Sequence, residues 1–296
     1  MRIVNAGEAS FPRGWEGYRA VASYDRKRWF RVDNTSFDKA TGVLTIDYTP
    51  ERDAVYFAYF APYPYERHQA LIAEVQSSGT DEKEVALEML GETLDGHDLD
   101  CIRVGPVEPG RPRVWVIARQ HPGETQAEYF AEGLLRRLLD DADATGRAAR
   151  AAATFFVVPN MNPDGSWRGH LRTNAAGVNL NRAWGPGPVD REEAPEVALV
   201  LDYMDEVGVD FLCDVHGDEA IPAVFAAGCE GVPSFDAARE EAQERFYRTL
   251  AMMCPEFQTT VGYPRTPKGK ANLSMAKNAV AERFKCLAMT LVSFWR

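Results

Sequence analysis

Histidine is scarce in this chain of 296 residues, with five in all, and cysteine is no more plentiful. The five cysteines (Cys101, Cys213, Cys229, Cys254 and Cys286) are odd in number and scattered, without a Cys-x-x-Cys pair. That spacing speaks against a disulfide framework or a cysteine-based zinc site, and it fits reduced, mostly buried thiols in a cytoplasm. No apolar run approaches the length that spans a bilayer, and Met1 to Glu8 hold no apolar core of signal-peptide length. Positive charge is in deficit as well. The formal net charge of -11 argues against general affinity for nucleic acid phosphates or anionic membranes, although one pocket can still be basic. Low-complexity tracts and repeats of solenoid period are missing too. What is there is ordinary globular composition, 45% hydrophobic and 26% charged, enough for one large α/β domain beside a smaller partner.

The first hundred residues read as β structure. Ala20 to Tyr24, Trp29 to Val32, Gly42 to Tyr48 and Ala54 to Phe60 are rich in β-branched and aromatic residues, punctuated by Asp, Asn, Gly and Pro. Only Glu66 to Gln76 has helical character. A small antiparallel β-sandwich over residues 1–102 is the simplest expectation. Beyond Cys101 strands alternate with helices. Val114 to Ala118, Thr154 to Val158 and Phe211 to Val215 are apolar runs of strands buried on both faces. Thr125 to Asp140, Glu192 to Val207, Phe235 to Met253 and Leu273 to Val280 read as helices, and Phe284 to Leu291 as a last strand. The alternation predicts an α/β domain over 103–296, a mixed, mostly parallel sheet flanked by helices. In such sheets ligands gather beyond the carboxyl ends of strands. His121, Asn160 and His216 each fall at such an end, which brings three polar residues to one rim.

His121-Pro122-Gly123-Glu124, with His216 in Asp214-Val215-His216-Gly217, supplies two imidazoles and a carboxylate. That is the ligand set of a catalytic zinc site, which keeps a further position open. A His and a Glu three residues apart can meet on one turn. Taken alone, His-x-x-Glu is a common chance pair. The joint occurrence at two strand ends is much harder to dismiss in a chain with five histidines. Asp214 could brace an imidazole from behind. His68, His97 and His170 lack such placement and read as surface or structural residues. Asn181 and Arg182 pair an amide with a planar guanidinium suited to a carboxylate, and Arg172 offers a second cation for a developing oxyanion.

These motifs, in order, resemble those of zinc metallocarboxypeptidases: His121 to Glu124, Pro159 to Gly165, Arg172, Asn179-Leu180-Asn181-Arg182-Ala183-Trp184, and Asp214 to Gly217. More narrowly, the chain resembles the cytosolic carboxypeptidase branch, whose β-sandwich carries an aromatic run like Tyr56 to Tyr65. The resemblance implies zinc held by His121, Glu124 and His216, with Arg172 as the catalytic cation at the scissile carbonyl. It implies Asn181 and Arg182 as clamps on the substrate α-carboxylate, and Tyr263 as a substrate-side tyrosine. The activity implied is hydrolysis of C-terminal residues from peptide or protein tails, with acidic residues one substrate class. Arg265, Lys268 and Lys270 on a Pro/Gly-rich loop could lend such a pocket charge, although a solvated loop is the commoner outcome for such a set.

One departure matters. In the family, a strand like Cys286 to Leu291 is followed by the glutamate that acts as general base, and here that position is Val292. A truncated or frame-altered chain, a skipped stretch, or a natural non-catalytic relative would each produce it. The abrupt change to an unrelated tail favours the first two. Glu219 is not taken as a substitute, since it follows a ligand by only three residues. Two rival functions stay open: an amidase of acylated amino acids, and a zinc-containing binder of C-terminal tails that releases no product.

Overall fold

The computed structural model describes residues 1–79, 83–218, 221 and 223–294. It contains two compact units, one of Met1–Pro62 with Asp218, Ile221 and Phe294, the other of Tyr63–Gly217 with Ala223–Ser293. In the first unit the strands are β1 (Arg2–Ile3), β2 (Val21–Ser23), β3 (Phe30–Arg31), β4 (Thr35–Asp38), β5 (Val43–Ile46) and β6 (Tyr56–Ala58). They form two antiparallel sheets, in the orders β1-β5-β4 and β3-β2-β6. Ala20, Ala22, Val32 and Ile46 make its core, with Tyr18, Tyr48, Val55 and Phe57 packed on them. The small antiparallel sheets expected at this end are present.

The second unit opens with helix α1 (Tyr65–Ser77), followed by β7 (Val85–Glu92), β8 (Asp98–Val104) and β9 (Arg113–Ala118). Then come α2 (Thr125–Leu139), α3 (Ala144–Ala152), β10 (Thr154–Val158), α4 (Pro163–Arg168) and α5 (Pro195–Val207). The chain continues through β11 (Phe211–Asp218), β12 (Phe225–Ala227), α6 (Ala237–Met253), α7 (Ala276–Phe284) and β13 (Leu287–Phe294). The seven-stranded sheet runs β12-β13-β11-β9-β10-β8-β7. Its centre is parallel, β9 lying between β10 and β11, while β8, β7 and β12 pair antiparallel at the flanks. The α/β class is as the alternation predicts. The strands β7 and β8, which begin before residue 103, join this sheet and not the small unit. Their half-polar patterns, such as Glu88 and Asp98, lack the apolar run that marks the central strands.

Side-chain alternation on β9 builds both layers of the core. Trp115 and Ile117 face a cluster with Phe156, Leu212, Val200 and Val280, whereas Val116 and Ala118 face one with Val157, Val215, Leu135 and Leu71. All are buried, which is why β9 reads as an unbroken apolar run. On α2 the buried stripe is Ala127, Ala131, Leu135 and Leu138, with Phe130 exposed. Hydrophobicity alone centres the stripe on Phe130 and Leu134. It is rotated because three acids on α2's inner side, Glu124, Glu128 and Glu132, must also turn inward. Among the described residues no helix is long and apolar enough to cross a membrane.

Candidate metal centre

Two neighbouring parallel strands deliver the candidate ligands. In the register of β9 and β11, Val215 lies opposite Ala118, so His216 and the turn after β9 emerge at the same edge. The turn itself needs unusual backbone. Arg119 sits at φ 57, a left-handed conformation rare for a residue with a side chain. Gly123 donates its N–H to the Leu171 carbonyl at 2.9 Å, and a Cβ there would stand 2.8 Å from Leu171 Cδ1. Only glycine lets the two segments approach so closely. Glu124 then caps the start of α2, with its N–H on the His121 carbonyl at 3.1 Å.

The three side chains meet. His121 Nδ1 lies 2.7 Å from Glu124 Oε1, His216 Nδ1 lies 2.8 Å from Glu124 Oε2, and the two Nδ1 atoms are 3.2 Å apart. Each residue offers a donor atom within 4.8 Å of the others, and all three are buried. Both rings therefore point Nδ1 at one locus, and both Nε2 atoms are held from behind. His121 Nε2 faces Asn179 Oδ1 at 3.0 Å, and His216 Nε2 faces Asp214 Oδ2 at 2.9 Å. Outer partners of this kind fix ring and tautomer in metal sites. Asp214 is in turn held by Gln120 Nε2 at 2.7 Å, and Gln120 Oε1 accepts from Trp184 Nε1 at 2.8 Å.

The electrostatics favour a cation at that locus. Burial disfavours a charged His216, yet the Asp214 and Glu124 carboxylates outweigh it and push its pKa up to about 10. Against the desolvation that burial imposes, the His121 and His216 rings hold the Glu124 carboxyl far below the usual range. Two buried carboxylates beside two imidazoles leave negative charge that a divalent ion would neutralise. Nitrogen and carboxylate oxygen donors also suit zinc, so the residues fit the group.

Around this centre the arginines lie as a pair. Arg172 and Arg182 are both exposed, and the pKa of Arg182 is lowered by burial of its guanidinium and by the charge of Arg172. Arg182 Nη1 reaches only its neighbour's carbonyl, Asn181 O at 2.6 Å, and among the described residues Arg172 makes no hydrogen bond or ion pair. Two neighbouring cations without carboxylate partners among the described residues are free to receive an anion. Asn181 is buried, its amide placed between His216 Nε2 (3.2 Å) and the Ala276 N–H (2.9 Å). Tyr263 is 47% exposed and stands edge-on to Phe225. It lines a cavity of about 870 Å³ with Arg265, Lys270 and Lys277 but also with Glu230 and Glu244, and none of the candidate metal ligands, nor Arg172, Asn181 or Arg182, is among its lining residues. Lys268 lines a separate, smaller one.

Sequence reasoning passes over Lys277. The residue is half-buried, its Nζ donates to the carbonyls of Ala227 and Gly228 at 3.1 and 2.6 Å, and burial lowers its pKa against the opposing pull of Glu230. Arg265, by contrast, already sits among Glu230, Glu240 and Glu244. Gln120, Asn179 and Trp184 escape it too as supports. Their signal is adjacency to the motifs, since Gln120 precedes His121 and Trp184 closes the Asn179 run. Val292 is buried on β13 opposite Phe225. Among the described residues the only carboxylates bonded to the two imidazoles are Glu124 and Asp214. Glu219 lies outside the described residues.

Comparison with known proteins bears on the family and the fold. Residues 1–60 match a family model described as the cytosolic carboxypeptidase N-terminal domain, and residues 72–219 match zinc carboxypeptidase. A metallo-carboxypeptidase from Burkholderia cenocepacia superposes with a TM-score of 0.92 at 43% identity, covering 99% of this chain and 76% of that one. One from Pseudomonas aeruginosa, in complex with (2-guanidinoethylmercapto)succinic acid, gives 0.87 at 43% identity, covering 99% and 77%. Human cytosolic carboxypeptidase 1 is 27% identical over 242 residues, 73% of this chain but only 20% of that protein's length. On the motifs, the fold and these matches, the chain belongs to the zinc carboxypeptidase family.

Proposed function

We propose that the protein binds zinc through His121, Glu124 and His216 and removes C-terminal residues from peptide or protein tails. The observation that carries the reading is the double orientation of the imidazoles, each Nδ1 on Glu124 and each Nε2 on a fixed oxygen. When bound, zinc supplies Lewis acidity to a carbonyl and acidifies water at the site. The residues do the rest. Arg182 and Asn181 receive the α-carboxylate, the guanidinium as the exposed charge and the amide as the buried donor, which restricts cleavage to chain ends. Arg172 meets the charge that develops on the carbonyl oxygen. Tyr263, on the wall of the neighbouring cavity, would touch the substrate side chain.

The cavity supports an acidic preference. Lys277 is half-buried with its Nζ held by carbonyls, and the residue before it, Ala276, holds Asn181. A glutamate side chain entering there would compete with Glu230 for the Lys277 ammonium, one residue along the chain from the group that holds the Asn181 amide. A cytoplasmic setting accompanies this reading, supported by five free thiols, four of them buried.

Val292 favours a second reading, a binder of acidic tails with little turnover. An apolar side chain cannot move a proton, and loss of a general base costs roughly 10²–10⁴ in rate. The experiment is zinc analysis of the purified chain, then release of free glutamate from peptides ending in glutamate, before and after Val292→Glu. Zinc with release, slow in the parent and faster in the variant, is the expected result. Absence of zinc overturns the metal reading. Zinc with tight peptide binding and no release from either chain leaves the binder as the function.

A further inference from the structure

Behind the metal residues lies a second buried set of charges that the reaction does not use. Arg119, the left-handed residue two before His121, is 5% exposed and donates from Nε to the Pro122 carbonyl at 3.0 Å. Its Nη1 donates to the Tyr63 carbonyl at 2.8 Å and to Glu128 Oε2 at 2.5 Å. Glu128, fully buried, stands one helical turn after Glu124 on α2 and reaches His68 Nδ1 at 2.7 Å with its other oxygen. His68, on α1, turns its Nε2 to Asp100 Oδ2 on β8 at 3.1 Å. An unbroken polar chain thus runs from β8 through α1 and α2 to the carbonyl inside the His-Pro-Gly-Glu turn.

Such a chain is a poor choice for stability alone. Buried ion pairs barely repay their desolvation, and apolar residues of similar volume are often as stable or better. What the pairs add is direction. The Pro122 carbonyl is fixed by Arg119 on one side, while the Gly123 N–H is fixed by Leu171 on the other. Between those anchors the turn has one course, and it sets where the His121 ring and the Glu124 carboxylate begin. The charges balance as well. Burial disfavours a protonated His68, but Asp100 and Glu128 raise its pKa to about 9, giving two cations against two carboxylates at neutral pH.

We infer that Arg119 and Glu128 are positioning residues that hold the His121–Glu124 turn in metal-binding form. The inference rests on the zinc reading above. Its test is the zinc affinity of the full chain, measured by competition with a chromophoric chelator, so hydrolysis plays no part. Arg119→Met removes the anchor on Pro122 and leaves Glu128 with His68 as its one cation, Glu128→Gln keeps the shape but removes the charge, and Arg119→Lys keeps a cation without the fork. Loss of an outer partner in a metal site weakens binding about 10- to 100-fold. We expect a loss of that size in Arg119→Met, a smaller one in Glu128→Gln, and partial recovery in Arg119→Lys, each in a chain whose metal-free circular dichroism matches the parent. Affinities within threefold of the parent in folded variants overturn the inference. Should Arg119→Met fail to fold, Arg119→Lys and Glu128→Gln decide by the same threefold limit. A parent chain that binds no zinc overturns the metal reading itself, and this inference with it.

Discussion

Asp214→Asn removes one charge and changes almost nothing of shape, and the hydrogen-bond partners around it dictate the outcome. The parent carboxylate accepts from Gln120 Nε2 at 2.7 Å and from His216 Nε2 at 2.9 Å. An asparagine has one oxygen for these two positions. Gln120 cannot turn over to help, because its Oε1 accepts from the indole of Trp184 at 2.8 Å, and an indole only donates. The asparagine oxygen therefore stays with Gln120, and its NH₂ faces His216. In the zinc-bound form the parent His216 has given up one of the two protons that its raised pKa otherwise holds and keeps the other on Nε2, and that placement moves the remaining proton to Nδ1, the nitrogen that points at Glu124. The Asn181 NH₂, 3.2 Å from the same Nε2, pushes in the same direction. A ligand nitrogen carrying a proton cannot bind metal, and restoring the right tautomer leaves two buried donors facing each other. Leaving a buried group unsatisfied costs about 1–3 kcal/mol, equivalent to roughly 5- to 150-fold in zinc affinity. Chelator competition on the folded variant reads this directly. The double variant with Trp184→Phe frees Gln120 to turn and should regain part of the loss. Zinc affinity unchanged by Asp214→Asn, or a double variant no better than the single one, would refute the tautomer argument.

Two more outcomes are expected of groups on the same unit. Lys277→Met removes an ammonium held by carbonyls, so thermal stability should hold or rise, whereas binding of peptides ending in glutamate should fall about tenfold or more relative to those ending in leucine. Equal losses for both peptides in binding titrations would exclude Lys277 from selectivity. His68 has its folded pKa raised, Asp100 and Glu128 prevailing over burial, from 6.5 to about 9, so its stabilising contribution is complete below pH 6.5 and disappears as pH rises through about 9. The full swing is of order 3 kcal/mol, and in denaturant titrations of the metal-free chain it adds to the loss that His216, raised to about 10, brings to both proteins, so between pH 6 and 9.5 the parent should lose roughly that much more than His68→Gln does. Parallel pH curves for the two chains would count against a protonated His68.

The parts of this architecture that are legible in the sequence are those carried by local patterns. Apolar runs mark β9, β10 and β11, because a strand covered on both faces has no polar positions to interrupt it. The convergence of His121, Glu124 and His216 is legible because a chain with so few histidines places two of them just past neighbouring parallel strands. The flanking strands β7 and β8 are not, since edge-side strands alternate polar and apolar residues and their partners come from elsewhere in the chain. Helix α3, rich in alanine and arginine, carries too few apolar residues to announce a face.

The polar network behind the metal residues is illegible for a different reason. Arg119, His68 and Asp100 are each ordinary in sequence, and their meaning lies in partners 9 to 60 residues away. Yet a trace of it is written along α2. Glu124, Glu128 and Glu132 recur every fourth residue, which puts three acids on one stripe of a helix that must also be buried. A hydrophobic reading treats such a stripe as the solvent face and rotates the helix accordingly, which turns Phe130 inward by mistake. The acids can face inward only if each finds a partner there: the imidazoles for Glu124, Arg119 and His68 for Glu128, and Arg67 for Glu132. The burial of that stripe and the construction of the metal turn are therefore one problem with one solution. That is why a change at Glu128, a full turn from any ligand, is expected to be felt in zinc affinity.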